Sequence, residues 1–510
     1  MIAFFSFSSK LLGLLRERLI AHNFGASELS DIYYASFRLP DLIFNTLVLG
    51  ALSSAFIPVF QKVWFKDKKE GLLLANSVLN FLLVFIGALL VLVFIFSPQI
   101  IKLITPGFAP WQLEMTVNLS RIMLLAVIFF VVSNLIGGVL NSWKKFFSFS
   151  LAANFYNLGI IFGIVFLYPL LGLSALAWGV LLGAFLHLLV QLPEAYKYGW
   201  RFQLVFNFDS NLKKIFRLML PRTMGLAASQ INLVVITMIA STLTVGSIAV
   251  FNMANNLQSL PISIFALSLA IAVFPTFTQA FTSDNKKLFA DNFSLNFRRI
   301  LYILVPISVL MLVLRAQIVR VILGSGAFNW ENTYYTAQTL GFFSLSIFAQ
   351  GLIPLLARSF YAFEDTKTPM LISVFSIIIN IFLALFLSPL LGVMGLALAF
   401  SIANIINMFL LYFVLSTKII NINHNKILNS LVKILFNSFL CGLSAYLTLQ
   451  ILSQLVNMKT FIGVFVQGFG AASAGLLIYL LVSILFKLEE VDIVKRFLLK
   501  FWLFLKNGKH

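Results

Sequence analysis

Fourteen stretches of this chain are long and apolar enough to be read as helices that cross a bilayer, and no other feature constrains its fold as tightly. In hydrocarbon a backbone N–H or C=O finds no water, so a run of about 20 apolar residues must close its hydrogen bonds within itself, as a helix does. The candidate spans are roughly 1–21, 31–61, 71–96, 119–140, 147–170, 174–193, 216–241, 247–281, 300–323, 335–362, 370–391, 394–416, 430–454 and 461–486. Composition agrees: 60% of residues are hydrophobic and 10% charged, where a soluble domain has roughly half and a quarter. The expected fold class is therefore an all-α integral membrane protein. Several runs exceed the bilayer, so tilting or bending is expected, with Pro40, Pro58, Pro261 and Pro275 as places to bend. The N-terminus lacks a basic n-region and a small-residue cleavage site, so the first helix is expected to be retained.

A net charge of +19 invites a nucleic-acid partner, but its distribution argues against one. The lysines and arginines sit in short connections between apolar runs. With the N-terminus on the cytoplasmic side, the connections on that side (62–70, 141–147, 194–217, 282–299, 363–369, 417–429 and 487–510) hold 24 of them. The other side holds four: Lys102, Arg315, Arg320 and Lys459. That asymmetry places both termini inside. The tail after 486 has basic and apolar residues at helical spacing and is expected to lie on the membrane surface. A single cysteine, Cys441, excludes an intrachain disulfide and a Cys-rich metal site; in its apolar run it reads as a small core or lipid-facing residue.

The chain repeats itself. "QIIKLI" at 99–104 returns as "QIVRVI" at 317–322, "ALSSA" at 51–55 as "ALSLA" at 266–270, and "LAW" at 176–178 as "LAF" at 398–400. Six spans fit in one period. Six is even, so the two copies share one orientation, a parallel repeat about an axis along the membrane normal. The expected organisation is a lobe of helices 1–6 (residues 1–200), a lobe of helices 7–12 (201–418), and helices 13–14 with the basic tail (419–510). In transporters of this build the ligand site lies between the lobes near the midplane.

Ionisable residues inside the spans are few. Among them are Lys10, Arg16, Glu17 and Arg18 in span 1, Asp31, Arg38 and Asp41 in span 2, Arg121 in span 4, Arg222 in span 7 and Arg358 in span 10. Each costs roughly 2.5–3.5 kcal/mol at mid-bilayer, so such groups tend to face a wet cavity or a partner. At about 100° per residue Lys10 and Glu17 share a face of helix 1, with Arg16 and Arg18 on either side of it. Asp31 and Asp41 offset part of the positive charge. An excess of cations, with arginine forks suited to phosphate oxygens, implies an anionic ligand. Other roles compete. Arg18 and Arg38 could snorkel to an interface, Glu17 could pair with Arg16 or Lys10, and Arg121 and Arg358 near span ends read as anchors. His187 reads as a hydrogen-bonded core residue. No Walker A motif, zinc spacing or G-x-S-x-G elbow is present, so the chain reads as a transporter and not an enzyme. It would be driven by an ion gradient, the membrane potential or the substrate's own gradient.

Several stretches, in order, resemble the MurJ (MviN) lipid II flippase family of the multidrug/oligosaccharidyl-lipid/polysaccharide exporter superfamily. They are "SKLLGLLRERLIAHNFGASELSDIYYASFRLPDL" at 9–42, "GALSSAFIPVF" at 50–60, "TPGF" at 105–108, "GGVLNSWKKF" at 137–146, "ALAWGV" at 175–180, "LPRTMGLAASQIN" at 220–232 and "ARSFYAFEDTKTP" at 357–369. The resemblance implies a multi-pass protein of the bacterial inner membrane. It implies a flippase that moves lipid II, an undecaprenyl-pyrophosphate carrying a disaccharide-pentapeptide, to the outer leaflet by alternating access for peptidoglycan synthesis. The pyrophosphate would occupy the cationic cavity and the lipid tail a groove along the last two helices. Lys10, Arg16, Arg18, Arg38 and Arg222 would be substrate-binding, with Glu17 and Asp31 balancing charge or gating. Where relatives carry further arginines on helices 2 and 8, this chain has Phe44 and Asn256; Arg222 is the candidate replacement. Asn380, Ser401 and Asn404 are candidate ligands of a monovalent coupling cation, with interhelical hydrogen bonding as the alternative. No cofactor is implied, and a monomer is expected. A flippase for another polyprenyl-linked glycan, a drug/cation antiporter of the same superfamily, and a non-transporting scaffold are the competing readings.

Overall fold

The structure, a computed structural model, describes residues 2–49, 55–419 and 422–492, with side chains except at 2, 3, 49, 220–222 and 224. All regular structure among these residues is helical. Ten helices are long and apolar enough to cross a membrane, and an eleventh span is formed by a pair bent by 45°. The three expected spans outside that set are the first, second and seventh. They are helical too. The first carries four ionisable groups, and the second is broken into short pieces around Arg38 and Pro40. In the seventh, Gly225–Ser241 is an apolar helix among the residues described with side chains.

The chain divides into two compact units. The first comprises residues 1–249 and 325–329 and the second residues 250–324 and 330–510. In the first, α1 (Ile2–Phe24) packs on α7 (Phe147–Phe162), and α2 (Glu28–Ser36) packs on α6 (Pro110–Ser142). After α3 (Arg38–Ile43) the helix widens into a π-helical stretch, Phe44–Leu49, before α4 (Ile57–Lys66) and the 37-residue α5 (Lys68–Ile104). A short α8 (Tyr168–Leu171) leads to α9 (Ser174–Leu189) and α10 (Leu192–Lys197), and α11 (Ser210–Ser241) packs on α3, α4 and α5. Helix α11 thus belongs to the first unit.

Lipid is as apolar as leucine, so close packing, not exclusion of water, holds membrane helices together. Helices α7 and α9 meet through glycines: a Cβ at Gly159 would stand 2.3 Å from the Cα of Gly183. The buried Asn76 and Asn80 of α5 serve an extended stretch laid along that helix. Asn76 Nδ2 donates to the Arg201 carbonyl at 3.0 Å, and Asn80 Nδ2 to those of Gln203 and Val205, each at 2.9 Å. Backbone groups without helix partners are satisfied this way. The segment 325–329 docks on the end of α1, Ala327 N donating to the His22 carbonyl at 2.8 Å. Gly326 makes that possible: its φ is +56° and a Cβ would meet His22 O at 2.3 Å.

The second unit begins within α12 (Ser247–Pro261), continues through a π-helical turn (Ile262–Ala266) into α13 (Leu267–Thr282), and includes α14 (Lys286–Val313) and the short α15 (Arg315–Ile322). The bent pair is α16 (Trp330–Ser344) and α17 (Ile347–Ala362). Helices α18 (Lys367–Leu391) and α19 (Val393–Lys418) pair with each other, and α20 (His424–Leu455) packs on both α14 and α21 (Phe461–Leu485). The repeated motif takes two forms: "QIIKLI" is the unbroken end of α5, whereas "QIVRVI" is the separate helix α15 after a break at Leu314. Most of "ALSSA", and the basic tail from 493, lie outside the described residues.

Candidate functional site

The charges of span 1 are built into a cluster inside the first unit. Arg16 Nη2 lies 2.8 Å from Glu17 Oε1, and Arg16 Nη1 donates to Asn157 Oδ1 at 3.3 Å. Glu17, buried, accepts a 2.5 Å hydrogen bond from the Tyr34 hydroxyl on its other oxygen. Asn157 in turn donates to the Ser9 carbonyl at 3.3 Å and the Ser9 hydroxyl at 3.2 Å. One helical turn earlier on α7, Asn154 donates to the Phe5 carbonyl at 3.1 Å. Two asparagines three residues apart share a helix face, so α7 grips α1 twice and holds Arg16 in place. The Nε–H of Arg16 is buried and has no acceptor among the described residues.

Arg38 is also buried, its Nε donating to Thr237 Oγ1 of α11 at 2.7 Å. Asp41 lies within electrostatic reach of both Arg38 and Arg16, and Tyr33 and Tyr156 within reach of Arg16. Asp41, Phe44, Phe130 and Tyr156 line a small, mostly apolar recess of this unit. Two guanidiniums therefore face two carboxylates, and the inner set is formally neutral. Positive charge in excess of that rests on Lys10, which is exposed, and Arg18, which is half-buried. Sharing a helix face with Glu17 does not give Lys10 the same surroundings: Glu17 is buried against Tyr34, whereas the Lys10 side chain is exposed.

Asp31 is placed elsewhere. Its carboxylate accepts from the backbone N–H of Gly246 at 2.7 Å and of Ala249 at 2.8 Å, and so caps the start of α12 from another helix. Unsatisfied N–H groups and the positive end of the helix dipole are what a carboxylate meets best. The side chain of Arg222 lies outside the described residues; its backbone is part of α11. Phe44 packs on Phe130 with ring centroids 4.8 Å apart, and Asn256 is half-buried on α12.

The three candidate cation ligands are in the second unit. Ser401 is buried and accepts from Ser346 Oγ at 2.9 Å while donating to the Phe342 carbonyl at 2.8 Å, which pins α19 to the bend between α16 and α17. Asn404 Nδ2 donates to the Phe400 carbonyl of its own helix at 2.8 Å, and Asn380 is buried on α18. His187 meets Ser133 Oγ at 2.5 Å beside Gln191, inside a packed region. Arg121 bonds Ser97 Oγ at 2.9 Å and lies over the Phe94 ring at 4.6 Å, the pose of an anchor near a helix end. Arg358 donates to the Pro354 carbonyl at 3.3 Å.

Sequence reasoning missed the partners more than the charges: Tyr34, Asn157 and Thr237 were read as ordinary span residues. A signal existed in the spacing of Asn154 and Asn157 amid apolar neighbours. It also missed a second ion cluster, buried at Arg298 and Glu490 and exposed at Lys426 and Glu489. Arg298 pairs with Glu490 and, at 3.1 Å, with Glu489; Lys426 reaches Glu489 at 2.9 Å and Ser430 donates to Glu490 at 2.9 Å. The Lys426 ammonium, with Arg298 behind it, holds the Glu489 carboxyl below its usual range. In the sequence Arg298 and Lys426 fall in connections, and nothing local says that Glu489 and Glu490 after α21 meet them.

Comparison with known proteins agrees with this architecture. The model of the family described as "Lipid II flippase MurJ" matches residues 20–466. The "Probable lipid II flippase MurJ" of Buchnera aphidicola subsp. Acyrthosiphon pisum is 32% identical over 410 residues, 79% of this chain and 80% of the relative. That of Rickettsia prowazekii is 32% identical over 416 residues, 81% and 82% of the two chains. A solved structure described as "Lipid II flippase MurJ, inward closed conformation" superposes with a TM-score of 0.80 at 26% identity, covering 97% of this chain and 99% of that one. An inward-facing multidrug transporter of the MATE family shares the fold, with a TM-score of 0.68 at 17% identity over 81% and 94%. With the family model matching most of its length and about a third of the aligned residues identical in such relatives, the chain belongs to the MurJ lipid II flippase family.

Proposed function

We propose that this protein moves lipid II from the inner to the outer leaflet of the bacterial cytoplasmic membrane, supplying precursor for peptidoglycan. Family membership supports the substrate. The observation that carries the mechanism is the Arg16 cluster: a guanidinium held inside spanning helices by Asn157 and Glu17, with its Nε–H buried and without an acceptor. A buried donor without a partner costs roughly 1–3 kcal/mol. A pyrophosphate oxygen would relieve that cost and add a charge-assisted bond. Glu17 has Tyr34 as a second partner, so it stays hydrogen-bonded when Arg16 turns to the ligand. Lys10 and Arg18 supply the further positive charge that a doubly phosphorylated head group needs. Arg38 and Asp41 hold each other in register beside the cluster. Alternating access of this cluster to the two sides, with the lipid tail left in the bilayer, completes the cycle.

The distribution of lysine and arginine supports both termini on the cytoplasmic side. We read the protein as a monomer driven by the membrane potential or a monovalent cation, with Asn380, Ser401 and Asn404 as the region to test for the cation. The deciding experiment is depletion rescue. The chain is expressed in bacteria lacking their own flippase, and surface-exposed lipid II is measured. Wild-type protein restores it and Arg16→Ala, inserted to the same level, does not. Equal rescue by both proteins would remove the proposed role of the cluster.

A further inference from the structure

Two of the four basic residues that the sequence leaves on the sparsely charged connections, Arg320 and Lys459, converge on one recess of the second unit. The recess occupies about 280 Å³ counting its open mouth, and no acidic residue lines it. Its construction is specific. Gln317 Nε2 donates to Gln467 Oε1 at 3.0 Å and ties α15 to α21. One turn further along α15, Arg320 reaches the first turn of α21, its guanidinium 4.5 Å from the centre of the Trp330 ring. Gly324 keeps that space open, since a Cβ there would stand 2.5 Å from Arg320 Cδ. On the opposite wall Asn457 shapes the turn. Its side-chain oxygen accepts from Lys459 N at 2.9 Å and its carbonyl from Thr460 N at 3.1 Å.

The rim is apolar. Phe461 is 53% exposed, Ile462 71% and Leu455 73%. Exposed side chains of this kind on spanning helices face hydrocarbon. Two cations and a lipid-facing rim call for an anion with several oxygen acceptors carried on an apolar body. We propose that this recess binds the phosphate group of a membrane lipid, with Arg320 and Lys459 holding its oxygens and its chains leaving over Phe461. The equivalent repeat position in the first unit, Lys102, lies exposed in the unbroken last turn of α5 and serves as the control. The inference goes beyond transport of lipid II. It rests only on α20 and α21 crossing a bilayer, which incorporation into nanodiscs reports separately.

The test uses the purified full chain in a neutral detergent, titrated with short-chain phosphatidylglycerol and followed by native mass spectrometry, with inorganic phosphate as a second ligand. Lys459→Gln removes an exposed side chain, so the fold is expected to survive; Arg320→Gln is added to it in a double variant. The double variant should weaken lipid binding about tenfold or more, Lys459→Gln alone severalfold, and Lys102→Gln should leave it unchanged. Unchanged affinity in the double variant overturns the proposal. So does an equal loss from Lys102→Gln, which would mean general surface charge. Inorganic phosphate binding as tightly as the lipid would assign the recess to a free anion and overturn the lipid assignment.

Discussion

The two units handle ionisable groups in opposite ways. In the first, Arg16, Glu17, Arg38 and Asp41 lie within the helices, among tyrosines and asparagines that bond to them. In the second, the ion cluster is built on the two carboxylates just past α21: buried Glu490 takes Arg298 from the first half of α14, and exposed Glu489 takes the same arginine and the exposed Lys426 near the start of α20. The mid-helix polar groups of that unit, such as Ser401 and Asn380, are neutral and buried. A charge at mid-bilayer is costly and a neutral hydroxyl is not, so a charge placed there calls for a use. One at a helix end is within reach of water during folding and can serve as a clamp. The ion cluster of the second unit ties α14 to α20 and to the residues after α21, whereas that of the first lies among the helices themselves.

Substitutions can break that contrast or sharpen it. The largest effect is expected from Arg298→Ala, which leaves Glu490 buried without its cation and should cost about 3–5 kcal/mol of stability. A scanning thermal-unfolding measurement reads it, and the Arg298→Met, Glu490→Leu double variant should recover most of the loss. If the single variant unfolds like wild type, the clamp is no clamp. Next comes Arg16→Ala. Transport should fall by about tenfold or more, with an unfolding midpoint near wild type, because the residue that pairs with Arg16 keeps Tyr34. A variant that loses stability and transport together would make the first cluster structural like the second. Asp31→Ala should cost about 1–3 kcal/mol by stripping the acceptor from two backbone N–H groups at the start of α12. Asp31→Asn, which keeps a side-chain oxygen, should cost less.

The smallest expected effect is on the surface of the second unit, at Asp365. Burial pushes its carboxyl up, but hydrogen bonds from Lys418 and Thr368 outweigh that and hold it at about 2. A depressed value means that the ionised form stabilises the fold above the usual carboxylate range near pH 4, and that this contribution fades as pH falls towards 2. Lys418 is 40% exposed, so the pair is screened and Asp365→Asn should cost about 0.2–1 kcal/mol at neutral pH. The difference from wild type should shrink as pH falls from about 4 through about 2; a constant difference would trace the effect to packing.

How much of this could be read from residues alone differs by element. The span positions were legible wherever a run was uniformly apolar, as in α5 or α21. The ends and breaks of span 2 were not, because a π-helical turn leaves no pattern in composition. Arg16 and Glu17 stood out because charge in an apolar run is rare. Their partners did not: Tyr34, Asn157 and Thr237 are unremarkable in a helix until a neighbouring helix is set against them. Asp31 was read as a member of the charged set, and only the approach of Gly246 and Ala249 reveals it as a helix cap. The assignment of α11 to the first unit was likewise out of reach, since the repeat counts helices and says nothing of which neighbour a helix prefers.

By itself the sequence determined that this chain is a bundle of membrane helices, duplicated in parallel, with charges lodged where lipid should be. Those conclusions follow from hydrogen bonding in hydrocarbon, from the parity of six spans and from the cost of a bare charge, and all three act along the chain. The tertiary structure alone decided which charges are paired, which cap a helix and which keep a free donor. Hydrogen bonds of about 3 Å depend on where distant helices cross, and that is set by close packing across the bundle, which no local pattern records.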